Sequence, residues 1–311
     1  MTMSGPAVDP RPTFDCLWCG RSWTVRAADD LEGYARLCPD CLGKAGDNPF
    51  LRFRLRSALE RRAAAGASAS PVVVAAEPTV AEPAADLDRA MVEYYAARAG
   101  EYDDWYLRRG RYERGPIHDA AWHAELDAAG GWLDRLPLAG RIVELAAGTG
   151  WWSPLLASKG ELWIYDAAEA PLERARERLV AHGLRAHIHV RDAWAPPEGE
   201  AADGLFAGFW LSHVARSRTA AFLEVARTWL GPGGRLAIID SLQDPQSGAV
   251  DHAAPVGDQA TRRLDDGREF TIVKVHRSVE ETRAALAEAG FEAIEVSTTG
   301  RFFILATATA A

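Results

Sequence analysis

The sequence predicts an α/β fold: a doubly wound sheet of seven strands, the last of them antiparallel, preceded by a small cysteine-rich module. Two observations support this prediction. Strand-like segments alternate with segments of helical periodicity from about residue 86 to residue 311. All four cysteines lie among the first 41 residues. We therefore expect the module at 11–62, a linker rich in alanine and proline at 63–85, and the α/β domain at 86–311.

The chain from Arg141 to Trp152 reads RIVELAAGTGWW. Its apolar start suits a strand that is buried on both faces. Gly148 and Gly150 then allow backbone angles closed to other residues and leave no Cβ between the turn and a ligand. The helix that follows offers unpaired N–H groups to an anion. This pattern predicts a turn at which main chain contacts a nucleoside, and an ordinary strand-to-helix turn is the alternative.

Two further strands end in acids. The segment 161–166 (ELWIYD) ends at Asp166, 22 residues after Glu144, which is the distance at which a βαβ unit places a carboxylate beside a ribose. A third strand over 186–191 leads into Asp192. A single loop carboxylate is usually solvated, but acids at three consecutive strand ends favour a nucleoside site. The third glycine of G-x-G-x-x-G and the lysine of a P-loop are both absent, which disfavours a dinucleotide or a nucleoside triphosphate.

Predicted helices and strands alternate in the same way over the rest of the domain. We expect helices over 171–182, 219–230 and 279–289, and strands over 204–210, 235–240, 291–297 and 301–308. The Gly-Pro-Gly-Gly sequence at 231–234 separates a helix from a strand, and the turn at 298–300 joins the last two strands as an antiparallel hairpin. Asp266 and Gly267 favour a further hairpin, with an extra strand over 270–275.

From about residue 86 to residue 311 the chain resembles the class I, Rossmann-like S-adenosylmethionine-dependent methyltransferases of the small-molecule type. The resemblance rests on ELAAGTG at 144–150, on Asp166 and Asp192, and on LGPGG at 230–234. It implies that Asp166 holds the ribose hydroxyls, Asp192 the adenine amino group and Glu144 the ammonium of the methionine moiety. It also implies a helical lid before the sheet. The implied cofactor-binding residues are Tyr95, Arg98, Tyr102, Glu144, Ala146, Gly148, Gly150, Asp166, Asp192, Ala193, Trp194 and Trp210.

Candidates for the acceptor side follow from the same resemblance. His213 lies just past the fourth strand, and a histidine with an ordinary pKa of about 6.5 can take a proton from a hydroxyl or an amine. A structural histidine is the alternative. The substrate-binding candidates are Tyr106, His118, Trp151 and Arg262. Core packing is the alternative for the aromatic residues, and ion pairs with nearby acids are the alternative for Arg262.

Four cysteines, Cys16, Cys19, Cys38 and Cys41, form two C-x2-C pairs with 18 residues between them. This spacing is typical of a tetrahedral thiolate zinc site. A segment this short cannot build its own apolar core, so a structural Zn²⁺ would supply much of its stability. Two disulfides or a redox motif are the alternatives, and a reducing cytosol disfavours the disulfides. We therefore expect a zinc ribbon.

The net charge of −9 and a pI near 5.5 argue against a general attraction to nucleic acid or membranes. The sequence has no apolar run of about 18 residues and no leader pattern, so a cytoplasmic location is expected. The D/N-P-P-Y/F sequence of amino-methylating DNA enzymes is absent as well.

The function expected is methyl transfer from S-adenosylmethionine to a small organic acceptor, for which a secondary metabolite is one candidate. One alternative is an RNA methyltransferase whose zinc ribbon docks nucleic acid, since the segment 49–62 carries five arginines and one glutamate. A non-catalytic protein that binds the cofactor or a partner is the other. The sequence leaves the acceptor, the methylated atom and the oligomeric state open.

Overall fold

The computed structural model describes residues 13–15, 21–24 and 84–311, with the exception of residue 198. The chain divides into two compact units, 1–78 and 79–311. In the first unit the strands β1 (Thr13–Asp15) and β2 (Ser22–Thr24) pair antiparallel, with Phe14 opposite Trp23. The four cysteines, the arginine-rich segment and nearly all of the predicted linker lie outside the described residues. The domain boundaries and the zinc ribbon therefore stay predictions.

The second unit is built on a large mixed sheet. Its strands are, in chain order, β3 (Arg141–Leu145), β4 (Glu161–Asp166), β5 (His187–Val190), β6 (Ala202–Gly208), β7 (Leu230–Ser241), β8 (Gln259–Arg263), β9 (Glu269–Val273), β10 (Phe291–Thr298) and β11 (Phe303–Ala310). Seven of them form one sheet in the order β10-β11-β7-β6-β3-β4-β5, and β8 and β9 form a separate antiparallel hairpin. Strand β11 runs antiparallel to both of its neighbours, whereas the other paired strands of the large sheet are parallel. The predicted α/β sheet with an antiparallel last strand is confirmed.

Strand β7 begins earlier than the sequence predicts. Leu230 already pairs with Ala202, and Arg235 pairs with Gly204. The glycine-rich segment 231–234 therefore bulges out between two paired positions, with Gly233 at a φ of 76°. The strand starts at Leu230 and not at residue 235 as predicted, because the chain pairs with β6 both before and after this bulge.

Helices cover both faces of this sheet. They are, in chain order, α1 (Ala84–Arg98), α2 (Asp104–Leu107), α3 (Pro116–Arg135), α4 (Ser153–Ala157), α5 (Glu169–Ala181), α6 (Thr219–Trp229) and α7 (Val279–Glu288). None of the helices in the described residues is long and apolar enough to cross a membrane.

Two buried clusters occupy the two faces of the sheet. One contains Phe222 of α6, and the other contains Trp122 of α3 and Leu172 of α5. Strand β3 contributes to both, because Val143 belongs to the first cluster and Ile142 to the second. Successive side chains of a strand point to opposite faces, which explains why Ile142 and Val143 are both buried although they are adjacent.

A third buried cluster joins α1 to the β8–β9 hairpin. It contains Met91 and Tyr94 of α1 together with Ala260, Leu264 and Ile272 of the hairpin segment. The aromatic segment that the sequence predicts as a lid therefore packs on the insertion between β7 and α7.

The two glycines of the loop after β3 serve different purposes. Gly150 has a φ of 68°, and a Cβ built there would lie 2.6 Å from the Cβ of Ala175 in α5. Gly148 has a φ of 55°, but a Cβ there would meet only the ring of Tyr102, at 3.6 Å. Gly150 thus allows close packing of the loop on α5. Gly148 instead leaves space beside the loop, in the site described below.

Replacing Gly150 by alanine is expected to destabilise the fold more than a matched control does. Gly183→Ala introduces the same left-handed strain, at a φ of 69°, but meets no atom within 4 Å and should cost about 1–2 kcal/mol. Gly150→Ala adds overpacking against α5, worth about 1–3 kcal/mol more. Urea denaturation measures both free energies of unfolding, and equal losses in the two variants would contradict the packing role.

Candidate active site

A cleft lies where strands β3, β4, β5 and β6 end, and its roughly 650 Å³ of empty space includes open solvent. The loops after these strands line one side, and α1 lines the other. Doubly wound folds bind ligands at this edge of the sheet. Ten residues predicted for the site meet in this cleft: Tyr95, Tyr102, Ala146, Gly148, Asp166, Asp192, Ala193, Trp194, Trp210 and His213.

Seven further residues line the cleft and were not predicted from the sequence. They are Asp88, Met91, Val92, Ala167, Ala168, Gly208 and Phe209. The three on α1 fall, with Tyr95, at positions i, i+3, i+4 and i+7, which place them on one helix face. This spacing is present in the sequence and could have identified them.

Two left-handed bends shape the floor of the cleft. Ala146 directly follows β3 with a φ of 52°, and Phe209 directly follows β6 with a φ of 57°. A left-handed conformation costs a residue with a Cβ about 1–2 kcal/mol. Neighbouring hydrogen bonds hold both bends: the amide of Ala147 donates to the carbonyl of Tyr165 at 3.0 Å, and the amide of Phe209 donates to that of Ile239 at 2.7 Å. Such over-determined strain is typical of functional sites.

Asp166, at the end of β4, is held in place by main chain. One carboxylate oxygen accepts from the amide of Gly148 and the other from the amide of Ala168, each at 2.9 Å. Burial raises the pKa of Asp166 to about 6. Each oxygen keeps a second lone pair for another donor. Asp192 follows the neighbouring strand, and its carboxylate accepts from the amide of Trp194 at 3.0 Å.

Arg98, at the end of α1, is a buried cation surrounded by phenols. Its guanidinium carbon lies 4.6 Å from the ring centre of Tyr102 and 5.7 Å from that of Tyr112, whose hydroxyl accepts from Nη2 at 3.2 Å. The side chain is only 9% exposed, and its Nε has no hydrogen-bond partner. Within the described part of the chain, no carboxylate forms an ion pair with it. Because Tyr102 also covers Gly148, Arg98 lies beside the glycine loop and has donors free for an anion.

Glu144 lies below the cleft rather than in its lining. It is 2% exposed, and its carboxylate accepts from the hydroxyl of Ser153 in α4 at 2.5 Å. Burial raises its pKa to about 8, so the side chain is protonated at neutral pH. Its predicted contact with an ammonium group stays a prediction. Gly150, which faces α5, also lies outside the lining.

His213 and Tyr95 form a neutral pair across the cleft. The hydroxyl of Tyr95 lies 2.7 Å from Nε2 of His213, and Nδ1 lies 2.7 Å from the carbonyl oxygen of Val273. A carbonyl can only accept, so Nδ1 carries the proton and Nε2 accepts from Tyr95. Burial, followed by the charge of Lys274, lowers the pKa of His213 well below 6.5. Burial also raises the pKa of Tyr95.

Three aromatic residues predicted for the acceptor side pack in the protein interior. Tyr106 stacks on Trp151, with ring centres 4.2 Å apart and planes nearly parallel. His118 is buried with its ring 5.2 Å from that of Phe302, and its Nδ1 lies 3.3 Å from Asp119. None of the three lines the cleft, and packing accounts for their positions without a ligand. Within the described residues, no group of histidine, cysteine and acidic side chains is arranged to hold a metal ion.

Comparisons with known proteins show that this site is similar to those of methyltransferases. The family model of a methyltransferase domain matches residues 142–234, which span the glycine loop and the acids after β4 and β5. Residues 142–234 thus resemble a methyltransferase domain. A solved structure of DhpI with S-adenosylmethionine and HEP is 29% identical, with a TM-score of 0.57, and the match covers 71% of this chain and 97% of that one.

Two curated methyltransferases match a shorter part of the domain. Demethylmenaquinone methyltransferase of Clavibacter sepedonicus is 33% identical over 111 residues, 35% of this chain and 44% of that protein. Trans-aconitate 2-methyltransferase of Paracidovorax citrulli (strain AAC00-1) is 37% identical over 121 residues, 36% of this chain and 45% of that protein. The matched segment thus spans less than half the length of either relative.

Glu144→Gln is expected to change how stability depends on pH. The buried acid binds a proton up to a pH of about 8 in the folded chain, against 4.5 as its ordinary value. The folded state therefore holds an extra proton between these values, and its stability falls as pH rises from about 5 to 8. Glutamine cannot lose this proton, so the variant should show a smaller fall.

Urea denaturation of the ligand-free protein across this pH range measures the difference. Glu288→Gln, at an exposed position of α7, serves as the control and should follow the wild type. Parallel pH profiles for the wild type and Glu144→Gln would show that Glu144 is ionised in the folded protein.

Proposed function

We propose that this protein transfers a methyl group from S-adenosylmethionine to a small organic acceptor. The observation that carries the proposal is the cleft itself: the glycine loop and two acids at successive strand ends meet in one space, and the buried Arg98 lies beside the loop without lining the cleft. S-adenosylmethionine supplies an electrophilic methyl group on a sulfonium. The protein then has to bind and orient the cofactor and the acceptor, and to remove a proton from the acceptor.

The nucleoside half of the cofactor fits the end of the cleft beside β4 and β5. Asp166 has lone pairs left for the two ribose hydroxyls after accepting from Gly148 and Ala168. Asp192 is exposed and can accept from the adenine amino group, while Ala193 and Trp194 offer apolar surface to the ring.

The methionine half fits the other side of the glycine loop. Arg98 is a buried guanidinium whose Nε has no hydrogen-bond partner, and none of the described carboxylates forms an ion pair with it. The carboxylate of the methionine moiety would supply this partner. The ring of Tyr102 lies between Arg98 and Gly148 and keeps the cation close to the loop. An ion pair formed here would compensate the cost of burying Arg98.

We infer that Tyr95 and His213 act together on the acceptor's proton. Because Tyr95 already donates to Nε2 of His213, the imidazole is reached through the phenol. The Tyr95 oxygen takes the proton of the acceptor's hydroxyl or amine while its own proton passes to Nε2. The acceptor atom then forms its bond to the methyl carbon as the bond from carbon to sulfur breaks. Val273 stabilises the resulting imidazolium through its carbonyl.

Two variants separate cofactor binding from the proton step. Asp166→Asn should weaken binding of S-adenosylhomocysteine roughly 10–100-fold, because a charged hydrogen-bond partner of the ribose is lost. Tyr95→Phe keeps the ring and removes only the hydroxyl. It should bind the product with unchanged affinity but turn over at least about tenfold more slowly. Calorimetry measures the first quantity, and formation of S-adenosylhomocysteine measures the second.

The controls make this test decisive. Asp127→Asn, at an exposed position of α3, should bind as the wild type does. Asp192→Asn repeats the binding test at a solvent-exposed acid, in case Asp166→Asn unfolds. A wild-type protein that does not bind S-adenosylhomocysteine would refute the proposed function, and a fully active Tyr95→Phe would refute the relay alone.

We further propose, from the cysteine spacing, that the first unit holds one structural Zn²⁺ through Cys16, Cys19, Cys38 and Cys41. These residues lie outside the described part of the chain, and the paired strands β1 and β2 flank the first C-x2-C pair in sequence. Elemental analysis of the purified full chain should find about one zinc per chain. Two disulfides and no zinc in freshly purified protein would contradict this assignment.

A further inference from the structure

Arg262, in β8, faces the inside of the β8–β9 hairpin. Ala260 and Leu264, two residues before and after it, are each 3% exposed and belong to the cluster shared with α1. Side chains two apart on a strand lie on the same face, so Arg262 points toward α1 as they do. Its cross-strand partner is Phe270, whose ring lies 5.5 Å from that of Tyr94 in α1.

The surroundings of Arg262 contain phenols and cations but no acid. Its guanidinium interacts electrostatically with the hydroxyls of Tyr94, Tyr95 and Tyr112 and with the positive charge of Arg98, and burial lowers its own pKa. Within the described residues no carboxylate comes within ion-pair distance of it, and the acceptor for its Nη1 is the carbonyl of the adjacent Thr261.

A second cation, Lys274, also acts on His213. Lys274 is buried beside it, with Nζ donating to the hydroxyl of Ser212 at 2.8 Å and to that of Ser241 at 3.3 Å. Burial lowers the pKa of Lys274 to about 8. Asp240, the acid behind this lysine, already accepts from the amides of Ser212 and Ser241. Lys274 and Arg262 therefore both act electrostatically on His213.

Arg277 is a buried cation whose charge is dispersed over acceptors. Arg277 donates to the carbonyls of Leu211 and Val214 and to the hydroxyl of Thr219. Asp88, an acid that lines the cleft, is already bound to Arg218 at 2.7 Å and does not repel an incoming anion strongly. A desolvated cation without such partners is costly, and an anionic ligand would remove that cost.

We propose that the methyl acceptor is an anion and that Arg262 binds its carboxylate, phosphate or phosphonate group. This inference rests on the proposed methyl transfer. With its charged group held by Arg262, the acceptor presents its nucleophile to Tyr95 and His213. Of the three described cations that act on His213, Arg98 is proposed to serve the methionine carboxylate and Lys274 donates to two serine hydroxyls, which leaves Arg262 for the acceptor.

Inorganic phosphate tests the anion site without a known acceptor. In the full chain saturated with S-adenosylhomocysteine, millimolar phosphate should raise the melting temperature of the wild type. Arg262→Gln should lose this response and, without phosphate, should melt no lower than the wild type, because an uncompensated buried charge has been removed. Arg268→Gln removes an exposed arginine of the same hairpin, which pairs with Asp266, and should keep the response.

Paired acceptors test the substrate class directly. Hydroxybenzoates and hydroxyalkyl phosphates are compared with the corresponding amides and uncharged alcohols, with formation of S-adenosylhomocysteine as the readout. Turnover should be confined to the anions, and Arg262→Gln should raise KM for them roughly 10–100-fold while its affinity for S-adenosylhomocysteine stays the same.

Several outcomes would overturn the inference. They are a wild type that phosphate does not stabilise, an equal phosphate response in Arg262→Gln, and neutral acceptors consumed as well as the acids. If no acceptor of either kind is consumed, the phosphate response alone decides. Loss of S-adenosylhomocysteine binding by the wild type is a different result, because it refutes the methyltransferase proposal whatever phosphate does.

Discussion

Hydrogen bonds between the loop after β3 and the end of β4 determine the shape of the site. The amide of Ala147 donates to the carbonyl of Tyr165, and the amide of Gly148 donates to the carboxylate of Asp166. Parallel pairing thus continues past the strand ends, although Ala146 is bent into the left-handed region. The acid proposed to hold the ribose is also the acid that fixes the loop, so the two roles cannot be changed independently.

A second set of polar contacts joins the turn after α1, which we call the cap together with α1, to this loop. Asp103, in the turn after α1, accepts from the hydroxyl of Thr149 at 2.7 Å and forms an ion pair with Arg178 of α5. Arg178 also donates to the carbonyl of Thr149 at 3.0 Å. The cap, the glycine loop and α5 therefore meet at one point, which keeps the ring of Tyr102 over Gly148.

Local patterns predicted the sheet and the cleft residues that follow its strands, because those features depend on consecutive residues. Asp166 ends β4, whose predicted bounds agree with the structure, and Asp192 follows the edge strand β5. Met91 was missed although helical spacing places it beside Tyr95. Lys274 had no local signal, because its burial depends on residues far away in sequence. Which of several neighbouring aromatic side chains turns inward depends equally on distant packing.

The hydrogen bond between Tyr95 and His213 joins α1 to the segment that follows β6. Tyr95 belongs to α1, while His213 follows β6. A displacement of α1 large enough to pass a nucleoside would pull the phenol away from the imidazole. The proton relay that we propose for these two residues therefore needs α1 in the position described here. Proton transfer and exchange of the cofactor thus make opposite demands on the position of α1.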